Sequence, residues 1–250
     1  MLVHEGAQRD HLADRRLACS LAGVAGALNA AAFYAVGFFS ANMTGNLSTV
    51  SDHIATGHVS SGLIYLGIIG LFILGASAST ILIDIGHRRS IGGIFAWVIL
   101  AEAMGMAPLG CADLWLGALW RTPVLVLGLA FLMGLQNAVV TRISDARVRT
   151  THVSGIATDI GIELGLLLDG LRRTKAREAL APIARRLRLH VETILCFLLG
   201  GIGGVMLYRQ IGGHLFWVAA AILALIALYG LWQARRGGPA PAEETIPNDL

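Results

Sequence analysis

Charge is scarce in this chain. Only 14% of its 250 residues are Asp, Glu, Lys or Arg, against about a quarter in an ordinary soluble domain, so a normal water-facing surface cannot be built from it. Cysteine is scarcer still. Cys19, Cys111 and Cys196 are odd in number, far apart and without a C-x-x-C pair, which excludes a disulfide framework and a cysteine metal site and leaves them as small packing residues. The sequence also lacks H-E-x-x-H, G-x-S-x-G and a P-loop, the spacings that seat a zinc ion, an exposed nucleophile or a nucleotide phosphate. His152 and Ser154 invite a reading as base and nucleophile, but two residues apart on a helix they point in different directions. The chain therefore reads as a non-enzyme with no cofactor, and an intramembrane hydrolase is the weakest alternative.

What fills the space is apolar: 55% of the residues are hydrophobic. They come in runs long enough to cross a bilayer, which takes about 20 residues. Six spans follow: Leu17–Phe39, Leu63–Ile83, Ile91–Gly110, Pro123–Val140, Val191–Tyr208 and Leu215–Trp232. The first is too long for a signal-peptide core and reads as an uncleaved span. Two further stretches, Ser40–Gly57 and Thr150–Leu168, are rich in Ser, Thr, Gly or Asn; each fits a short span, a surface loop or a re-entrant segment. Arginine placement favours six spans. With the N-terminus inside, Arg15, Arg16, Arg88, Arg89, the basic Arg142–Arg188 region, Arg235 and Arg236 all fall on the cytoplasmic side, and only Arg121 and Arg209 fall outside. The net charge of +3 reflects that sidedness and gives no ground for nucleic-acid binding.

The chain also repeats itself. Gly26-Ala27-Leu28-Asn29-Ala30 is answered by Gly134-Leu135-Gln136-Asn137-Ala138, Thr44-Gly45 by Ser154-Gly155, and Phe72-Ile73-Leu74-Gly75 by Phe197-Leu198-Leu199-Gly200. Three matches in one order argue for two homologous halves. Each half holds an odd number of spans, so the second enters the membrane from the opposite side. The fold expected is all-α: six transmembrane helices as two inverted three-helix repeats, each with a short broken or re-entrant polar segment. The parts are a cytoplasmic tail over 1–16, a first repeat over 17–110, an outer loop over 111–122, a second repeat over 123–232 and a disordered tail over 233–250. Within the second repeat, Asp169–His190 reads as a cytoplasmic in-plane helix with Ala176, Leu180, Ile183 and Leu187 on one face. Its arginines, Arg172–Arg188, suit anionic lipid headgroups; a solvated basic loop fits as well, and Pro182 weakens the helix.

Asn42-Met43-Thr44-Gly45-Asn46 and Thr150-Thr151-His152-Val153-Ser154-Gly155, the latter preceded by Gly134-Leu135-Gln136-Asn137-Ala138, resemble the YoaK-like family of bacterial inner-membrane proteins, a domain-of-unknown-function family. The likeness runs from about Arg16 to Arg236. It implies a six-span protein of the inner membrane, in which the arginine placement puts both termini in the cytoplasm, and it carries over no substrate or catalytic residue.

Candidate functional residues are therefore read from their chemistry. Asn29 and Asn137 sit within spans, where an amide must find a partner; they either fix helix packing or meet a ligand. Thr44, Gly45, Asn46, His152, Ser154 and Gly155 stand where the polar segments would start as half-helices, whose free N–H groups suit an anionic or polar solute. Asp52 lies in one row with Thr44 and Ser48, and Asp159 and Glu163 in another with Gly155, while Glu102 is the one carboxylate well inside an apolar span. These four carboxylates are candidates for a coupling ion or proton, with an amphipathic surface cap or a paired structural carboxyl as the plainer alternative. A secondary transporter or permease for a small polar or anionic solute is the function expected. A scaffold or signalling protein and a small channel remain alternatives, and homo-oligomerisation stays open.

Overall fold

The computed structural model of the chain describes residue 2 and residues 11–173 and 177–236. Every regular element among the described residues is an α-helix: α1 His11–Val36, α2 Met43–Ala55, α3 Val59–Arg88, α4 Ile94–Trp115, α5 Ala118–Ile143, α6 Val153–Arg172, α7 Arg177–Ile211 and α8 His214–Arg236. Six of them, α1, α3, α4, α5, α7 and α8, are long and apolar enough to cross a membrane. This is a polytopic membrane protein. The other two, α2 and α6, are the polar stretches that hydropathy alone left undecided.

Helix direction settles the count of crossings. Along α1 and α7, Arg15 pairs with Glu192, Cys19 Sγ donates to the Glu192 carbonyl, Gly23 meets Gly200 and Ala27 meets Gly204. Both helices thus advance by fours together and run parallel. Gly67 meets Leu127, Gly75 meets Phe131 and Asp84 pairs with Arg142, so α3 and α5 are parallel too. By contrast, Gly230 meets Ala96 and Gly110 meets Trp217, so α4 and α8 are antiparallel. Were α2 and α6 full crossings, α4 and α8 would be the fourth and eighth and would run the same way. Length agrees for α2: its 13 residues reach only about 20 Å, short of a hydrocarbon core of about 30 Å.

Glycine sets how closely the helices approach. A Cβ on Gly26 would overlap the Phe197 carbonyl, and one on Gly134 would overlap the Phe72 carbonyl. A Cβ on Gly200 would strike the Gly23 backbone, and one on Gly75 that of Phe131. The contact made once between α1 and α7 is made again, with the matching residues, between α3 and α5. Close backbone approach through small residues is how helices associate where lipid supplies no hydrophobic drive. The buried core comes mostly from α1, α4, α5 and α8, whereas Ile73, Leu74, Leu198 and Leu199 on α3 and α7 are exposed, as lipid-facing side chains are.

The two ends of the bundle differ in charge. One gathers the start of α1, the α3–α4 turn and the end of α8: Leu2 packs on Gly230, Gly93 on Ala234, Arg142 pairs with Asp84 and Arg147 approaches Asp14. At the other, Asp113 accepts from Arg121 Nε (2.7 Å) and Tyr208 Oη (2.8 Å), and Arg121 Nη2 donates to Tyr208 Oη (2.7 Å). That closed triad ties α4, α5 and α7 together.

Several boundaries differ from the sequence expectation. The helix of the first span starts at His11 rather than near Leu17; the rest of the 1–16 tail, apart from Leu2 and residues 11–16, lies outside the described residues. The loop expected over 111–122 shrinks to Leu116 and Gly117, because the Asp113–Arg121 pair neutralises the charges that would otherwise stop both helices. The in-plane helix over Asp169–His190 is not formed. Its first residues end α6, its Ala176 lies outside the described residues, and from Arg177 the chain is the start of α7, which runs unbroken through Pro182 to Ile211. A proline this near a helix start forfeits one backbone hydrogen bond, and two residues before it Leu180 packs on the buried Gly170. Of the 233–250 tail, residues 233–236 complete α8, where the Arg236 guanidinium lies 3.8 Å over Trp232; residues 237–250 are outside the described residues.

Candidate functional site

Each polar segment reverses the chain before its short helix begins. After α1, Gly37 takes a left-handed φ of +78°, which glycine adopts without steric cost, and the chain turns back toward the middle of α1. Asn29 catches it there: its Oδ1 accepts from the Ala41 N–H at 2.9 Å. Asn46 Nδ2 donates to the Phe39 carbonyl at 3.2 Å, and Asn42 Oδ1 caps the start of α2 by accepting from the Gly45 N–H at 3.1 Å. A Cβ on Gly45 would collide with that cap, so glycine is required for it. The far end of α2 closes at Gly57 with φ +81°, where His58 N–H reaches the His53 carbonyl and Gly57 N–H that of Ile54, a Schellman stop.

The second segment follows the same plan with different atoms. Asp145 and Ala146 take positive φ values of 51° and 57°, and Ser144 Oγ bridges the reversal by donating to the Val140 carbonyl and accepting from the Val148 N–H. Asn137, the counterpart of Asn29, accepts from Thr151 Oγ1 at 2.7 Å and donates to the Met133 carbonyl at 2.8 Å. His152 occupies the N-cap of α6 but makes no side-chain cap bond. The first N–H groups of α6 are therefore without the side-chain acceptor that serves α2.

Both helix starts open into one cavity of about 620 Å³. Asn29, Thr44, Gly45, Ser48, Thr151, His152, Ser154 and Gly155 line it, Phe72 and Phe197 wall it from the two parallel helix pairs, and Arg149 enters beside Gly155. No carboxylate is among its described lining residues, nor does Arg149 have an ion-pair partner among the described residues. Burial, and then the charge of Arg149, hold the His152 imidazole below its usual range, so the ring is neutral near pH 7. Positive potential here comes from Arg149 and two converging helix N-termini.

Of the residues singled out from sequence, Asn29, Thr44, Gly45, His152, Ser154 and Gly155 meet at this cavity. Asn46 and Asn137 stand behind it as braces. The carboxylates lie elsewhere. Asp52 is exposed on α2. Asp159 and Glu163 face a second cavity of about 680 Å³ between α6, α7 and the start of α1, where Glu163 bonds His190 Nδ1 at 3.0 Å. Glu102 is wholly buried and accepts from Gln136 Nε2 at 3.1 Å. Among the described residues no group of three His, Cys, Asp or Glu is arranged to hold a metal ion. Sequence reasoning missed Arg149, hidden in a basic stretch that already had a topological explanation, and Phe72 and Phe197. The two phenylalanines were visible as the head of the repeated Phe-x-x-Gly, which was the available signal.

A family model described as a protein of unknown function (DUF1275) matches residues 17–229. The chain belongs to this family. The DUF1275 match takes in both polar segments and every residue named at the central cavity. No curated protein and no solved structure matches the chain.

Proposed function

We propose that the chain is a permease of the bacterial inner membrane for a small polar or anionic solute, bound where the starts of α2 and α6 converge. The single observation that carries this reading is the central cavity: two half-helices open into it from separate halves of the chain, with one arginine and no acid among its described lining residues. Two paired sets of contacts support an inverted repeat, with α1 to α4 matching α5 to α8. Gly26 on Phe197 corresponds to Gly134 on Phe72, and Asn29 holding Ala41 corresponds to Asn137 holding Thr151. Such repeats, with binding at discontinuous helices near the midplane, are the plan of many secondary transporters; that step is fold-level analogy. Arginine-rich ends support cytoplasmic termini.

A scaffold would have a packed interior, which the two cavities argue against, and a channel needs a continuous polar path. Arg149 lines both cavities and stands between them. We assign the chain no enzymatic step.

The test is direct. Purified protein in proteoliposomes is exposed to isotope-labelled formate, nitrate, acetate and inorganic phosphate in turn. At least one shows saturable uptake that empty liposomes lack, and filling the cavity with Ser154→Trp removes it while the protein stays monodisperse. No such uptake of any of these anions, or uptake untouched by Ser154→Trp, would defeat the reading.

A further inference from the structure

Glu102 and Gln136 form an isolated polar pair between α4 and α5. Both are fully buried, and one hydrogen bond joins them, from Gln136 Nε2 to Glu102 Oε1 at 3.1 Å. The other two oxygens, Glu102 Oε2 and Gln136 Oε1, are buried without any partner. With Glu102 ionised, both are acceptors, and the one donor left in the pair, the second N–H of Gln136 Nε2, reaches neither of them. A single proton on Oε2 turns that atom into a donor.

No counter-charge excuses an anion here. The titratable and charged groups on the helices packed against α4 lie toward their ends: Tyr65, Asp84, His87 and Arg88 on α3, Arg121 and Arg142 on α5, His214, Tyr229, Arg235 and Arg236 on α8. On α4 itself the others are Cys111 and Asp113, both near its far end, and Asp113 is already held by Arg121 and Tyr208. None of them forms a hydrogen bond or ion pair with the Glu102 carboxyl, whose one partner is Gln136. Metal cations of the hard kind take six or more oxygens; the pair offers three unprotonated oxygens at most, among Ile99, Ala103 and Met106. The fitting occupant is a proton.

The pair also sits one residue from the central site. Gln136 is followed on α5 by Asn137, which holds Thr151 at the cavity wall. In the first half Leu28 precedes Asn29, and α8 carries no Asp or Glu. The feature is therefore confined to the α4–α5 side.

We propose that Glu102 is the proton-coupling site of this protein: protonated while α4 and α5 are packed as seen, it releases its proton only when the two helices part and water reaches it, and that parting moves Asn137 and Thr151 at the cavity. The coupling rests on the solute-site reading above; the proton on Glu102 does not. An intramembrane carboxyl with one fixed partner is the usual form of a proton relay station.

Two measurements test it. Infrared spectra of the lipid-reconstituted protein at neutral pH should contain the carbonyl stretch of a protonated carboxylic acid, sensitive to deuterium exchange, that is lost in Glu102→Gln and displaced in Gln136→Met. Glu102→Gln supplies the missing donor without a proton and should melt no lower than wild type; Glu102→Ala loses the same band if folding of the glutamine variant fails. No such band in wild type, or a band that survives both Glu102 variants, overturns the assignment. In proteoliposomes under an imposed pH gradient, wild type should accumulate whichever of formate, nitrate, acetate or phosphate it carries, whereas Glu102→Gln should equilibrate that anion without accumulating it. Accumulation by Glu102→Gln at the wild-type level overturns the coupling. Were wild type to move none of the four anions, the solute-site reading would fall and the coupling with it, and the infrared result would still decide whether Glu102 holds the proton.

Discussion

The segments leading into α2 and α6 are built on one plan and furnished differently. In each, an asparagine in the last two turns of the preceding helix catches the returning chain, a buried hydroxyl without a partner precedes the caught residue (Ser40 in one, Thr150 in the other), and a short helix starts at the cavity. The furnishing diverges at the cap and the cation. Asn42 satisfies the start of α2 with its own side chain, while His152 does not serve α6. Phe39 stacks on Phe33 at 4.2 Å where the corresponding position of the second segment is Arg149. The frame thus follows from backbone constraints shared by both halves, and the charge that selects a ligand is concentrated in one.

The largest effects should come from breaking what the halves share. Gly26→Leu and Gly134→Leu each drive a side chain into a carbonyl of a parallel helix, and overpacking costs about 1–3 kcal/mol even where side chains can yield, which a backbone carbonyl does not. Each should abolish monodisperse protein in size-exclusion chromatography, to the same degree. A well-folded Gly134→Leu beside a lost Gly26→Leu would break the equivalence of the two crossings.

Next in size is the effect of removing what the halves do not share. Arg149→Ala should weaken anion binding by at least tenfold, about 1.4 kcal/mol, measured by the concentration giving half-maximal uptake. Phe39→Ala, at the matching place, should change it by less than threefold. Equal losses would mean that the cation is not what distinguishes the segments.

The smallest expected effects sharpen the comparison of the two braces. Asn29→Ala leaves a buried backbone N–H without its acceptor, whereas Asn137→Ala frees a hydroxyl that can turn to another partner. Unsatisfied buried groups cost about 1–3 kcal/mol. Asn29→Ala should therefore lower the melting temperature more than Asn137→Ala does, and the reverse order would show that Ala41 is held by something else.

How much of this was legible beforehand follows from what a linear pattern encodes. The six crossings could be read because hydropathy and arginine placement are properties of the chain itself. The two polar segments stood out because Asn29 and Asn137, and Gly45 and Gly155, recur in the same order. Asp159 and Glu163 were harder. Helical spacing put them on one face with Gly155, but not against a particular neighbour, and they meet His190 and the second cavity rather than the central one. The segment before His190 was misread for a related reason: its amphipathic pattern is the same whether the helix lies in the membrane plane or continues into a span, and only the unbroken run from Arg177 to Ile211 tells them apart. Gln136 stood inside a motif already noted for Asn137, and nothing in spacing linked it to Glu102 34 residues away.

The central claim is that the starts of α2 and α6 form one anion site between two halves of the chain. With the three native cysteines replaced by serine, Thr44→Cys and Ser154→Cys report from opposite sides of the cavity, and the rate at which each reacts with a small thiol reagent can be followed as the transported anion is added. The account predicts that the anion slows both positions in parallel, with the same half-maximal concentration, and that Arg149→Ala removes the protection at both. Protection of one position alone, or of neither at concentrations that saturate uptake, would contradict it.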